Sequence, residues 1–495
     1  MPALLLSLLL AVQPVASSPD LAPAELAAKP EVAQALTLYE LWLRDQMAQQ
    51  HQPGLSVGIV YDQALVWAKG FGRRDVAGAL PARSDTVYRI ASISKTFTAT
   101  AVMQLRDAGK LQLDDPVVRH LPWFSYRNRF PDAPQVTIGH LLTHTSGLPR
   151  EAAFPYWTDR KFPSRERMIE ALASQESVFE PETRYKYSNL GLALLGEVVA
   201  AVSGEPYATY VHGKILAPLG LVSTWVEVSA VDADRLATGY LIRQPDGSQP
   251  IAPPTRAEGL TPAAGISSTV EDLARFVSFQ LQTGGGRSDS VLRESTRRAM
   301  QRVHWLDPSW TSGRGLGFSV WRQGERTLVG HGGWVAGHRT QIAFDPASKI
   351  GVVVLTNCDE GGPGSYVRQA FDLVAPAIQK TVAGEPPAAP VVAAERYLDA
   401  YHSPSGERTD VLLLGTRLVL YDHSYPPTAD VKGQITDLTP EGEHVFRMTG
   451  ENGDGERVVF ELRPDGRVAR VKVGENYIFP EDCGRIGEDL NCLWE

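Results

Sequence analysis

Cysteine is scarce. The 495-residue chain has only three, which excludes a disulfide-stapled scaffold or a cysteine-rich metal cluster. No stretch gathers lysine and arginine into a patch. With a formal net charge of −9 the chain should repel phosphate backbones and anionic lipid, so nucleic acid is not an expected partner. Beyond the first residues no run is long and apolar enough to span a bilayer. His-Glu-x-x-His does not occur, so the sequence offers no zinc-protease helix. What remains is ordinary globular usage, 43% hydrophobic and 21% charged, in a chain long enough for two or three domains.

Ala3 to Val12 form an apolar run of signal-peptide length, followed by the small residues Ala16, Ser17 and Ser18. Residues 1–18 are therefore read as a signal peptide, and the protein is expected to be exported, periplasmic or secreted. No cysteine follows the run to accept a lipid. In an oxidising compartment Cys483 and Cys492, close together near the end, should pair, whereas Cys358 follows the strand-like run Ile350 to Thr356 and should be a buried thiol.

Leu55 to Tyr61, Leu65 to Phe71, Phe318 to Trp321, Thr340 to Phe344 and Ile350 to Thr356 are β-rich runs, economically joined as one antiparallel sheet closed by both ends of a domain. Between them lie helices expected at Ser92 to Ala108, at Leu190 to Ser203, and from a Ser268/Glu271 capping box to Leu281. A Pro/Ala/Val-rich stretch at 382–394 reads as a linker. The short strands beyond it, Val411 to Leu414, Leu418 to Tyr421, His444 to Met448, Val458 to Leu462 and Val468 to Val473, make 395–495 a small all-β domain.

Three short motifs carry chemistry. Ser92-Ile93-Ser94-Lys95 opens a helix, and residues three apart share one face, so the Lys95 amine can reach a hydroxyl that needs a neighbouring base. The helix start favours an oxyanion and disfavours a charged lysine. In Tyr187-Ser188-Asn189, alternation points Tyr187 and Asn189 the same way; a tyrosine can shuttle a proton and an asparagine can hold a carbonyl, though the tripeptide alone better suits a core tyrosine and an N-capping asparagine. In His331-Gly332-Gly333-Trp334, glycines expose backbone to substrate and the Trp334 N–H can face a developing oxyanion, unless this is a plain glycine turn. His140 and His144 stand four apart, but no third ligand is evident, so hydrogen-bonding histidines are expected there, not a metal site.

Taken in order, with Tyr88-Arg89-Ile90-Ala91 before the serine and Gly139-His140-Leu141-Leu142-Thr143-His144-Thr145-Ser146-Gly147-Leu148 between the motifs, the sequence resembles the superfamily of class C β-lactamases and penicillin-binding serine hydrolases, in its D-alanyl-D-alanine carboxypeptidase and esterase branch, over about residues 35–380. The resemblance implies an α+β fold: an antiparallel sheet flanked by helices, with an all-helical subdomain. It implies acylation of Ser92, proton handling by Lys95 and Tyr187, substrate orientation by Asn189, and an oxyanion hole from the backbone of Ser92 and Trp334 beside His331 and Gly333. No metal or organic cofactor is expected. The substrate would be a small molecule or peptide, cell-wall peptide included, cleaved at an ester, amide or peptide bond; a true β-lactamase and a catalytically silent peptide- or peptidoglycan-binding relative are the rival readings. One departure bears on substrate. Dedicated β-lactamases carry lysine where this chain has His331, and a histidine of ordinary pKa is mostly neutral at pH 7. Arg339 could replace the lost charge, but by itself it reads as a solvated surface residue.

Overall fold

Gly54–Tyr61 (β1) is buried along nearly its whole length, so both of its faces must be covered, and its antiparallel neighbours come from opposite ends of the domain. On one side it turns through Asp62, at φ 51°, into Ala64–Asp75 (β2) and the short Leu80–Pro81 (β3). On the other it pairs with the last strand of the domain, Leu55 opposite Thr356 and Tyr61 opposite Ile350. Numbering the later strands Trp305–Leu306 (β4), Ser312–Arg314 (β5), Ser319–Gln323 (β6), Arg326–Val335 (β7), His338–Asp345 (β8) and Ile350–Thr356 (β9), the nine-stranded order is β3-β2-β1-β9-β8-β7-β6-β5-β4. This is the antiparallel sheet closed by both ends that the sequence implied. The computed structural model describes residues 22–227, 234–284, 290–385, 394–423 and 430–483. The expected signal peptide, most of the expected linker and Cys492 lie outside the described residues.

The long helices are Pro30–Gln49 (α1), Ser94–Asp107 (α2), Asn189–Ser203 (α3), Val270–Leu281 (α4) and Pro363–Val382 (α5). Helices α2, α3 and α4 share one core with the Ile342, Phe344, Val353 and Leu355 face of the sheet. The contact with α4 is close: a Cβ at Gly58 would lie 2.4 Å from Val270 Cγ1, and one at Gly351 2.3 Å from Val277 Cγ1. The N-cap of α4 is Thr269, whose hydroxyl accepts from Asp272 N at 3.1 Å. The expected Ser268/Glu271 box is displaced by one residue because Ser268 is held in a strand pair opposite Tyr88 and its hydroxyl bonds Thr224. Helices α1 and α5 cover the other face; α1 was not anticipated, although Val32, Leu36, Tyr39, Trp42 and Leu43 give it a buried helical stripe.

The C-terminal part is a closed eight-stranded barrel from Ala400–His402 to Asn476–Pro480. All five expected strands are present. The three not anticipated, Ala400–His402, Ile435–Gly442 and Asn476–Pro480, are short or interrupted, the second by Pro440 with a register shift between Pro440 and Gly442. Cys483 is disulfide-bonded and Cys358 is a free, buried thiol.

The barrel docks on α1 and α5, so it lies behind the sheet. Tyr421 and Val431 enter the outer core, and Asp45 of α1 accepts from Tyr421 Oη at 2.7 Å and Gln434 Nε2 at 3.2 Å. His423 bridges Asp45 at 2.9 Å and Asp410 at 3.3 Å. Burial alone would lower the pKa of His423, but the hydrogen bonds to Asp410 and Asp45 overcome it and raise the pKa to about 9. A raised histidine pKa contributes stability below its unfolded value and loses it as pH rises through the folded value, a swing of roughly 3 kcal/mol. Unfolding free energy should therefore fall between about pH 6.5 and 9, and His423→Gln should flatten that dependence. A wild-type pH–stability curve unaltered by the substitution would refute the role of this bridge.

Candidate active site

The strand pair Tyr88–Arg89 delivers the chain into Ala91, whose φ of 48° lies in the left-handed region that a Cβ disfavours by about 1–2 kcal/mol. Neighbours hold it there: Ile90 N donates to Ile266 O at 3.0 Å, and Thr340 Oγ1 donates to Ile90 O at 3.0 Å. Ser92 thus sits in a 3-10 turn, Ala91–Ile93, that leads into α2 at Ser94, two residues later than the expected helix start. The turn presents the Ser92 hydroxyl to a cavity between sheet and helices.

Lys95 is completely buried, and its Nζ lies 3.0 Å from Ser92 Oγ. The amine donates to Asn189 Oδ1 at 2.8 Å and to Ala263 O at 2.8 Å, both of which can only accept. A neutral amine has two N–H bonds, so these partners consume both and leave the lone pair for the serine proton. Burial, only partly offset by Glu151, holds the Lys95 pKa well below the ordinary value.

Asn189 opens α3 behind the N-cap Ser188. Its Nδ2 donates to both oxygens of Glu151, at 2.9 and 3.0 Å, so the side chain is clamped between Lys95 and Glu151. Tyr187 belongs to the same cluster. Its ring lies 4.9 Å from both Lys95 Nζ and the Arg150 guanidinium and 4.5 Å from the His144 ring. Burial raises the Tyr187 pKa, with a hydrogen bond to Ser92 opposing, so the phenol stays protonated. Arg150 and Glu151 were not anticipated: they are lone charged residues in a loop, and only the fold brings them under Asn189 and Tyr187. His144 accepts from Ser188 N at 3.1 Å and His140 Nδ1 from Thr137 N at 3.2 Å, so each histidine serves its own backbone partner.

The third motif lies on β7, facing the serine turn. A Cβ at Gly333 would fall 2.2 Å from Ile90 O and 2.3 Å from Thr340 Oγ1, so only glycine lets this strand approach. His331 Nδ1 lies 2.6 Å from Gly332 O, an acceptor, and therefore carries the ring proton. Burial pushes its pKa down to about 3, so the ring is neutral. Trp334 uses its indole N–H on Asp359 Oδ1 at 2.9 Å and stacks on Trp157. All seven expected residues fall in this cluster: Lys95 lies beneath, and the other six line one cavity of about 740 Å³, with Arg150 and Arg339 also on its wall.

Over residues 40–375 the sequence matches the Beta-lactamase family. The chain belongs to the beta-lactamase family. Among curated proteins this family member is 32% identical over 343 residues to Beta-lactamase-like protein 2 of Dictyostelium discoideum, a match covering 68% of this chain and 62% of that protein. The chain spans about three fifths of the length of the curated relatives it matches. Among solved structures it is similar to an octameric penicillin-binding protein homologue from Pyrococcus abyssi, with TM-score 0.62 and 28% identity over 90% of this chain and 99% of that one. It is also similar to EstCE1, a hydrolase with promiscuous acyltransferase activity, with TM-score 0.60 and 25% identity over 70% of this chain and 99% of that one. Among the described residues of this beta-lactamase-family chain, no helix is long and apolar enough to cross a membrane.

Proposed function

We propose that the protein is an exported serine hydrolase that cleaves ester, amide or peptide bonds of small molecules or peptides through an acyl-enzyme on Ser92. The observation that carries this reading is the buried Lys95 amine, two of whose hydrogens are committed elsewhere, 3.0 Å from Ser92 Oγ. Ser92 Oγ attacks the carbonyl carbon as its proton passes to Lys95 Nζ. The developing oxyanion is met by the backbone N–H groups of Ser92 and Trp334. Tyr187, kept protonated by burial, donates to the departing oxygen or nitrogen, and water then releases the acyl group by the reverse proton path. Asn189, expected to orient substrate, also fixes the lysine amine, with Glu151 behind it. The Cys483 disulfide supports export.

Substrate choice follows from the neutral His331. A buried lysine at that position would pair with the carboxylate that β-lactams carry, and losing such a charge-assisted contact forfeits about 1.5–3 kcal/mol. Arg339 is exposed at the cavity wall, where an ion pair contributes roughly 0–1 kcal/mol. A short p-nitrophenyl ester should therefore exceed a chromogenic cephalosporin in kcat/KM, by roughly 10- to 150-fold where the whole difference is felt in the transition state. A higher value for the cephalosporin would replace this reading with a true β-lactamase. Failure of both substrates to leave an acyl mass on Ser92 would remove the hydrolase reading itself.

A further inference from the structure

A second cavity, of about 800 Å³, opens beyond the Trp157–Trp334 stack, walled by Phe162, which packs on Trp157, and by Ala336. Its charge is one-sided. Arg89, Arg160, Lys161 and Arg256 line it against a single carboxylate, Glu258. The Arg89 head is the telling group: the residue is 8% exposed, donates to Thr255 Oγ1, a neutral partner, at 2.6 Å, and has no carboxylate within 4 Å among the described residues. A buried guanidinium without a counter-charge is unfavourable unless something else supplies one. Beside it His338, 3% exposed and edge-on to Tyr88, leaves Nδ1 without a hydrogen-bond partner. Burial pushes Arg89 down only to about 10, so it remains a cation at neutral pH, while burial and the Arg89 charge push His338 down to about 3 and keep it neutral. A neutral imidazole can turn an N–H toward an acceptor.

We propose that this cavity is an oxyanion subsite, taking a carboxylate or phosphate group between Arg89 and His338, with Arg160, Lys161 and Arg256 at its mouth. Guanidinium groups match both anions with paired hydrogen bonds. Because Arg89 lies three residues before Ser92, within about 10 Å along the chain, the anion is either the far end of a substrate held at Ser92 or a free ion bound next to it. The site is defined without reference to the Ser92 chemistry, so it stands or falls separately from the hydrolase reading.

The test is a thermal titration of the full mature chain with sodium phosphate and with sodium glutarate at constant ionic strength, using chloride as the control. At least one of the two should raise Tm saturably by a few degrees, with chloride ineffective. Arg89→Gln should abolish the rise. Because that variant also removes a buried hydrogen bond on which folding can depend, the exposed pair Lys161→Gln/Arg256→Gln serves as the second variant and should weaken binding roughly tenfold. Equal effects of chloride and the oxyanions, or a rim variant that titrates like wild type, would overturn the proposal. A second arm separates the sources: phosphate that inhibits hydrolysis of a dicarboxylic half-ester, and not of its neutral analogue, marks a substrate-borne carboxylate. Saturable binding that leaves both hydrolyses unchanged marks a free anion.

Discussion

Ser92→Ala should lose all covalent labelling by a fluorophosphonate and at least about 10⁴-fold in kcat/KM toward a p-nitrophenyl ester, with Tm nearly unchanged. The hydroxyl is only partly buried at the cavity, so its removal leaves no core void. Lys95→Ala should approach the same loss, since it removes the amine 3.0 Å from Ser92 Oγ that takes the serine proton, and Tyr187 is held as a phenol by burial. The double variant should be little worse than either single one, because the two act as a unit. Lys95→Ala should also cost stability, since Asn189 Oδ1 and Ala263 O would lose a buried donor. The pH profile gives an independent check. With the Lys95 pKa well below that of a free lysine, the acid limb of kcat/KM should lie far below about pH 10, and activity should persist through neutrality. Residual turnover of Ser92→Ala within a few-fold of wild type would end the assignment.

Gly333→Ala is the second large effect. The added methyl would meet Ile90 O at 2.2 Å and Thr340 Oγ1 at 2.3 Å, and neither can yield easily: one is backbone of the serine turn and the other is already bonded to it. Strand and turn must separate, at a cost of about 1–3 kcal/mol in stability. The separation falls between the two backbone amides proposed to receive the oxyanion, so kcat/KM should drop by about 10²-fold or more. Wild-type activity within threefold, in a protein that folds normally, would mean that the third motif does not set the distance to Ser92.

The three motifs and the sheet were legible in the sequence because each rests on local pattern: a lysine one turn after a serine, alternation into a helix cap, glycines in a strand. The clamp on Asn189 was not, because Glu151 and Arg150 acquire their roles from partners tens of residues away, and loop residues carry no periodicity. Arg89 shows the same limit from the other side. Composition places arginine at the surface, and only the packing of Thr255 and His338 against the strand pair reveals it as buried. Helix α1 did carry its stripe in the sequence, but its apolar face is shared between the sheet and the barrel, which no local window connects.

The pairing of β1 with β9 imposes an order on biosynthesis. Leu55 and Thr356 are about 300 residues apart, and β1 is apolar on both faces. At about 5–20 residues per second, a ribosome leaves that strand without its partner for roughly 15–60 s. During that interval its open edge is a template for pairing with other chains, and a long loop must close before the sheet rewards it. Secretion of an unfolded precursor, with folding begun only after the whole chain has emerged, would bring β1 and β9 into the same compartment together and shorten the exposure.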